Sequence, residues 1–121
     1  MAKKQIASTI TLDATGETLG RLASKIAKLI QGKEKSDFAN NQTGNVKIIV
    51  NNLSHLMVTG KKQTQKLYYR HTVGYPGHLK STSLDEMWQA NPAKVLYKAV
   101  FGMLPENKLR NLRMKNLTIN L

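Results

Sequence analysis

An amphipathic helix set between two strand-like runs constrains this chain more than any other feature. Leu19, Leu22, Ala23, Ile26, Ala27, Leu29 and Ile30 recur at spacings of three and four, which predicts one buried helical face over about Thr18 to Gln31. Arg21, Lys25 and Lys28 fall off that stripe. Thr18 stands where an N-cap belongs, and Gly32 where a C-terminal stop belongs. Lys33 and Lys35 follow, suited to the negative end of the helix dipole. Before the helix, Ser8-Thr9-Ile10-Thr11-Leu12 is β-branched and partly alternating, and Asp13-Ala14-Thr15-Gly16 breaks it. After the helix, a polar loop from Phe38 to Asn45 leads into Val46-Lys47-Ile48-Ile49-Val50. That run is nearly all apolar, as in a strand covered on both faces. Strand, turn, helix and strand make a β-α-β unit.

The rest of the chain extends the same class. Asn51 to Ser54 reads as a turn or a single helical turn, and Leu56-Met57-Val58 as a short third strand. Ser83-Leu84-Asp85-Glu86 is a capping box that opens a short helix through Trp88. Asn91-Pro92 opens the next, with Asn at N-cap and Pro at N1. Val95, Leu96, Ala99, Val100 and Met103 form its apolar face, and Gly102 and Pro105 end it. Leu109 to Lys115 reads as a basic helix and Leu117-Thr118-Ile119 as a last strand. The expected fold is an α/β sandwich with a mainly parallel sheet. At 121 residues it is expected to be one domain, with residues 1–7 a short tail.

Charge narrows the function. The chain carries 19 Lys and Arg against 7 Asp and Glu, a formal net charge of +12. Such a field attracts polyanions, nucleic acid first and anionic membrane second. No carboxylate occurs between Asp37 and Asp85. Within that zone, residues 59–80 hold Lys61, Lys62, Lys66, Arg70 and Lys80, interleaved with Tyr68, Tyr69 and Tyr75. Lys and Arg pair with phosphate, and aromatic rings stack on bases. Gly74-Tyr75-Pro76-Gly77 reads as a shaped loop. The competing reading is a solvated basic hairpin whose Tyr rings cover a core edge.

Other chemistries fit poorly. No Cys is present. His55, His71 and His78 lack ligand spacing, so no metal is expected; His71 and His78 suit RNA contact and His55 a surface turn. Gly16-Glu17-Thr18-Leu19-Gly20-Arg21 fails both the Walker A and the Rossmann glycine patterns. Asp13 suits a turn or cap better than catalysis. Trp88 suits the core or its rim. No apolar run reaches the roughly 20 residues that span a bilayer. Met1 to Gln5 lacks the apolar core of a signal peptide, so a cytoplasmic location is expected.

Several strings together resemble the large-subunit ribosomal protein thirteen family, of bacterial or organellar type. They are Leu12 to Gly16 with Thr18 to Ala23; Gly32-Lys33 with Lys35; Thr43-Gly44 before Ile48 to Val50; Val58 to Lys62; Lys66 to Thr72; Pro76-Gly77 with Leu79-Lys80; and Gly102 to Pro105. They cover roughly residues 8 to 119. The resemblance implies a three-layer α/β/α sandwich with a four-stranded, mainly parallel sheet and basic loop extensions. It implies binding to large-subunit ribosomal RNA, neighbouring ribosomal proteins as partners, entry into the particle early in assembly, and no catalysis, cofactor or small-molecule substrate. Within the matched span the chain departs from the family pattern at three places. The Tyr-Pro-Gly loop is a residue longer with His78 in place of a Gly, Phe101 stands where Lys is usual, and Leu109-Arg110-Asn111 replaces Leu-Gly-Arg.

The expected RNA contacts are therefore Arg21, Lys33, Lys35, Lys61, Lys62, Lys66, Tyr69, Arg70, His71, Tyr75, His78, Lys80, Arg110, Arg113 and Lys115. The rivals are a free-standing nucleic-acid-binding regulator and a small phosphate-handling α/β enzyme.

Overall fold

A computed structural model describes residues 8–32, 46–61, 65–71, 74, 76–77 and 79–121. Strand β1 (Ser8–Asp13) and helix α1 (Leu19–Gln31) lead to strand β2 (Val46–Asn51). β1 and β2 pair in parallel, with Ile10 beside Ile48 and Leu12 beside Val50. A 3-10 turn (Leu53–His55) follows. Strands β3 (Leu67–His71) and β4 (Leu79–Ser83) form a separate antiparallel pair. Helices α2 (Leu84–Ala90), α3 (Pro92–Met103) and α4 (Leu109–Met114) then lead to strand β5 (Leu117–Ile119), which pairs in parallel with β2.

Sheet register explains the core. Paired residues of a parallel sheet share a face, so Ile10, Leu12, Val46, Ile48, Val50, Leu117 and Ile119 lie together. This face packs on Leu22, Ala23, Ile26, Ala27 and Ile30 of α1 and on Leu96 and Val100 of α3. Burial of that apolar surface stabilises the fold at roughly 25 cal/mol per Å². A second cluster joins Leu84, Met87 and Val95, with Tyr68 and Trp88 packed against it, and ties the β3–β4 hairpin to the body. Trp88 touches both clusters, in keeping with a core or rim role.

The ends of α1 follow from its sequence. Gly32 adopts φ +74° and its N–H donates to the Leu29 carbonyl at 3.0 Å. Thr18 is extended at the N-cap, but its side chain makes no cap bond. The Leu19 N–H is met instead by the Met57 carbonyl at 3.2 Å. Ser83 caps α2, its Oγ accepting from the Glu86 N–H at 3.3 Å. Asn91 makes no side-chain cap bond at α3, where Pro92 occupies the first turn.

Three expectations change. β2 is not covered on both faces: Val46, Ile48 and Val50 are buried, Ile49 is half-buried and Lys47 is exposed. Thr9, Thr11 and Thr118 are exposed beside Lys47. The reason is strand order. β1-β2-β5 never reverses, so right-handed crossovers bring the helices to one side. Second, the parallel sheet has three strands among the described residues, where four in three layers were expected. Third, Leu56-Met57-Val58 makes a single parallel bridge, Met57 with Thr18. Thr18 is a single extended residue between the turn in which Gly16 holds φ +74° and the start of α1 at Leu19, so the pairing ends after one bridge.

Candidate nucleic-acid interface

The β3–β4 hairpin carries the basic stretch. Its register sets Tyr68 opposite Thr82, Tyr69 opposite Ser81, Arg70 opposite Lys80 and His71 opposite Leu79. Alternation then divides the residues. Leu67, Tyr69 and His71 share one face, and Tyr68 and Arg70 share the other. Tyr69 is 64% exposed, and Arg70, His71 and Lys80 are exposed. Tyr68 is half-buried against the second cluster, and that burial raises the pKa of its hydroxyl. Of the two adjacent tyrosines, Tyr69 is thus the open ring and Tyr68 the anchor.

Arg70 facing Lys80 is the informative pair. Like charges directly opposed on a sheet repel. Among the described residues neither has a carboxylate partner. An anion placed over the hairpin would meet both charges at once. Lys66 is exposed nearby, its Nζ 5.8 Å from the Tyr68 ring centre. Lys61 is exposed too, in the turn where Gly60 has φ +68°.

A second basic surface lies on α1. An open groove of 850 Å³ is lined by Arg21, Lys25 and Lys28 with Gly20, Ser24 and Thr59. Lys25 is held by Glu17 at 3.1 Å. Arg21 and Lys28 supply the groove's other positive charges.

Helix α4 does not present the expected basic face. Arg113 is 1% exposed, whereas Leu112 is 47% exposed. The burial also draws the pKa of Arg113 down. Arg113 is therefore withdrawn as a surface contact. Arg110 is half-buried with its guanidinium carbon 3.9 Å from the Phe101 ring centre, and Lys115 remains exposed. Arg110 and Arg113 sit three apart, so with Met114 buried beside it Arg113 turns inward. Lys33, Lys35, Lys62, Tyr75 and His78 lie outside the described residues.

The sequence reading missed one group. Lys94 and Lys98 repeat at a spacing of four on α3, and Tyr97 and Phe101 do the same. Tyr97 and Phe101 stack with ring centres 6.3 Å apart and planes at 11°. Lys98 Nζ lies 5.2 Å from the Tyr68 ring centre. The signal was present as paired i, i+4 repeats.

Asp13 serves a turn. The Thr15 N–H and hydroxyl donate to Asp13 Oδ1 at 2.9 and 2.8 Å, and Asn52 Nδ2 donates at 3.2 Å. These bonds, the Thr15 N–H foremost, hold its pKa below the ordinary value. With the folded-state pKa depressed, the stabilising contribution is full above the unfolded-state pKa. It is lost as pH falls through the lower folded-state value. An NMR titration of the Asp13 carboxyl should give a midpoint below that of an unfolded peptide. Asp13→Asn should flatten the acid limb of the stability profile, and an ordinary or raised midpoint would contradict this.

Among the described residues, no helix is long and apolar enough to cross a membrane, and no three His, Asp or Glu side chains converge as a metal site.

The geometry defines a basic α/β protein with an exposed basic hairpin packed against its body through Tyr68. The family model described as ribosomal protein L13 matches residues 7–120. The large ribosomal subunit protein uL13 of Beutenbergia cavernae is 46% identical over 109 residues, 89% of this chain and 73% of that one. The uL13 of Dichelobacter nodosus is 44% identical over 89% of this chain and 75% of its own length. That of Thermus thermophilus is 44% identical over 91% and 78% respectively. The chain belongs to the ribosomal protein L13 family.

Proposed function

We propose that this chain is a structural constituent of the large ribosomal subunit that binds large-subunit ribosomal RNA, supports early subunit assembly and performs no catalysis. The observation that carries the RNA contact is Arg70 facing Lys80 across the hairpin, within a run free of carboxylates from residue 38 to 84. Lys61, Lys66, Arg70 and Lys80 neutralise phosphates there, and Tyr69 and His71 offer rings to exposed bases or sugars. Arg21 on α1, and Arg110 and Lys115 at α4, form further contacts. Lys33, Lys35, Lys62, Tyr75 and His78 are assigned from the sequence pattern alone. The chain works as a single domain, in the ribosome, with neighbouring large-subunit proteins as its other partners.

Sucrose-gradient sedimentation of a cell lysate tests the reading. The chain should travel with the large subunit at moderate salt and stay through a high-salt wash. Recovery at the top of the gradient under both conditions would refute the proposal.

A further inference from the structure

Helix α3 carries a groove that includes none of the contacts assigned above. It is an open groove of about 630 Å³ lined by Tyr68, Lys94, Tyr97, Lys98, Phe101 and Gly102, with Asn111 at its side. Among the described residues, no carboxylate lines it. Tyr97 is 43% exposed, yet it is held parallel to Phe101, on which Arg110 rests. An open ring backed by a second ring and a guanidinium is a pre-ordered stacking platform, because little freedom remains to be lost on binding. Lys94 and Lys98 are exposed beside it. Aromatic rings bordered by ammonium groups match single-stranded nucleic acid, which offers a free base face and a phosphate on each side. A duplex stacks its own bases and offers such a groove only phosphates.

We propose that the α3 groove takes an unpaired RNA nucleotide, its base stacked on Tyr97 and its flanking phosphates on Lys94 and Lys98. The proposal rests on the reading that the chain binds ribosomal RNA, and adds to it an unpaired nucleotide as the ligand of this surface. Charge complementarity favours this occupant over an apolar peptide. Gly102 supplies a control: it lines the groove and a Cβ there meets nothing within 4 Å, so a larger side chain at this position is expected to occupy groove space.

The test uses the full chain, a 12-nucleotide single-stranded RNA carrying a fluorescent 2-aminopurine, and a duplex of equal length. Binding should quench the 2-aminopurine. Tyr97→Leu and Gly102→Leu should each weaken single-strand binding about tenfold and abolish much of the quench. Duplex affinity and salt slope should stay near those of the native chain, and Tyr97→Phe should restore single-strand binding. Lys94→Gln with Lys98→Gln should lower the single-strand salt slope by about 1.4. Thermal melting keeps the comparison among folded proteins. If Tyr97→Leu and Gly102→Leu leave single-strand binding and quenching unchanged while hairpin variants weaken it, the groove proposal fails and the ribosomal RNA reading stands. Equal loss on single strand and duplex would also overturn it, as would unchanged RNA binding with loss of incorporation into the large subunit, which would mark a protein-docking face. Failure of the native chain to bind either RNA would remove both the groove and direct RNA contact.

Discussion

Replacing Lys61, Lys66, Arg70 and Lys80 together with Gln should weaken binding to large-subunit ribosomal RNA on the order of 100-fold at physiological salt. The slope of log K against log salt should fall by about 3, because each phosphate contact contributes about 0.7 to 0.9. Stability should hold. All four side chains are exposed, and removing the Arg70–Lys80 opposition relieves a cross-strand repulsion worth a few tenths of a kcal/mol. The loss should be uniform across RNA sequences, as expected for backbone contacts. Tyr69→Leu should act differently, lowering affinity while leaving the salt slope unchanged. Filter binding across a salt series, with melting curves for each variant, separates these effects. An unchanged slope in the fourfold variant would place the main RNA surface on α1 or α4 instead of the hairpin.

What could be read from sequence was what local chemistry decides. Helix α1 was legible because its stripe, from Leu22 to Ile30, and its stop, Gly32, lie within one segment. The α2 cap was legible for the same reason, since Ser83 and Glu86 are three residues apart. Lys66, Arg70 and Lys80 are exposed in a stretch whose sequence carries no carboxylate, a feature local composition alone displays. Features set by distant segments were hidden. Strand β4, Leu-Lys-Ser-Thr-Ser, has little strand character of its own and exists through its register with β3. The run Val46 to Val50 looks covered on both faces, but its exposure depends on a strand order that no single segment encodes. Met103 was assigned to the apolar face of α3 and is 44% exposed, its Sδ 3.5 Å from the hydroxyl of Ser24. The stacking of Tyr97 on Phe101 needed only local spacing, but their relation to Tyr68 and Arg110 required the fold.

Arg113→Ala should destabilise the protein by roughly 3 kcal/mol, lowering Tm by about 10 °C, without removing an RNA contact. Arginine is enriched where phosphate is bound, so its position on a basic helix suggested a contact. The structure buries it, on a helix packed against both α1 and α3. A buried Arg contributes through its aliphatic stem as well as its charge. Truncation to Ala removes both and opens a cavity next to the core that holds Met114. Arg113→Met retains an unbranched stem and loses the charge, so it should fall between Ala and the native residue. Lys115→Gln should show the reverse pattern, with Tm unchanged and the RNA salt slope lowered by somewhat under one. Measuring Tm and RNA affinity on the same samples, with binding done well below the lowest Tm, distinguishes the two roles. If Arg113→Ala melts with the native protein and binds RNA more weakly, the guanidinium belongs to the interface after all. If it melts early and, while folded, binds with native affinity, α4 contributes Arg110 and Lys115 to the RNA and spends Arg113 on holding itself to α1 and α3.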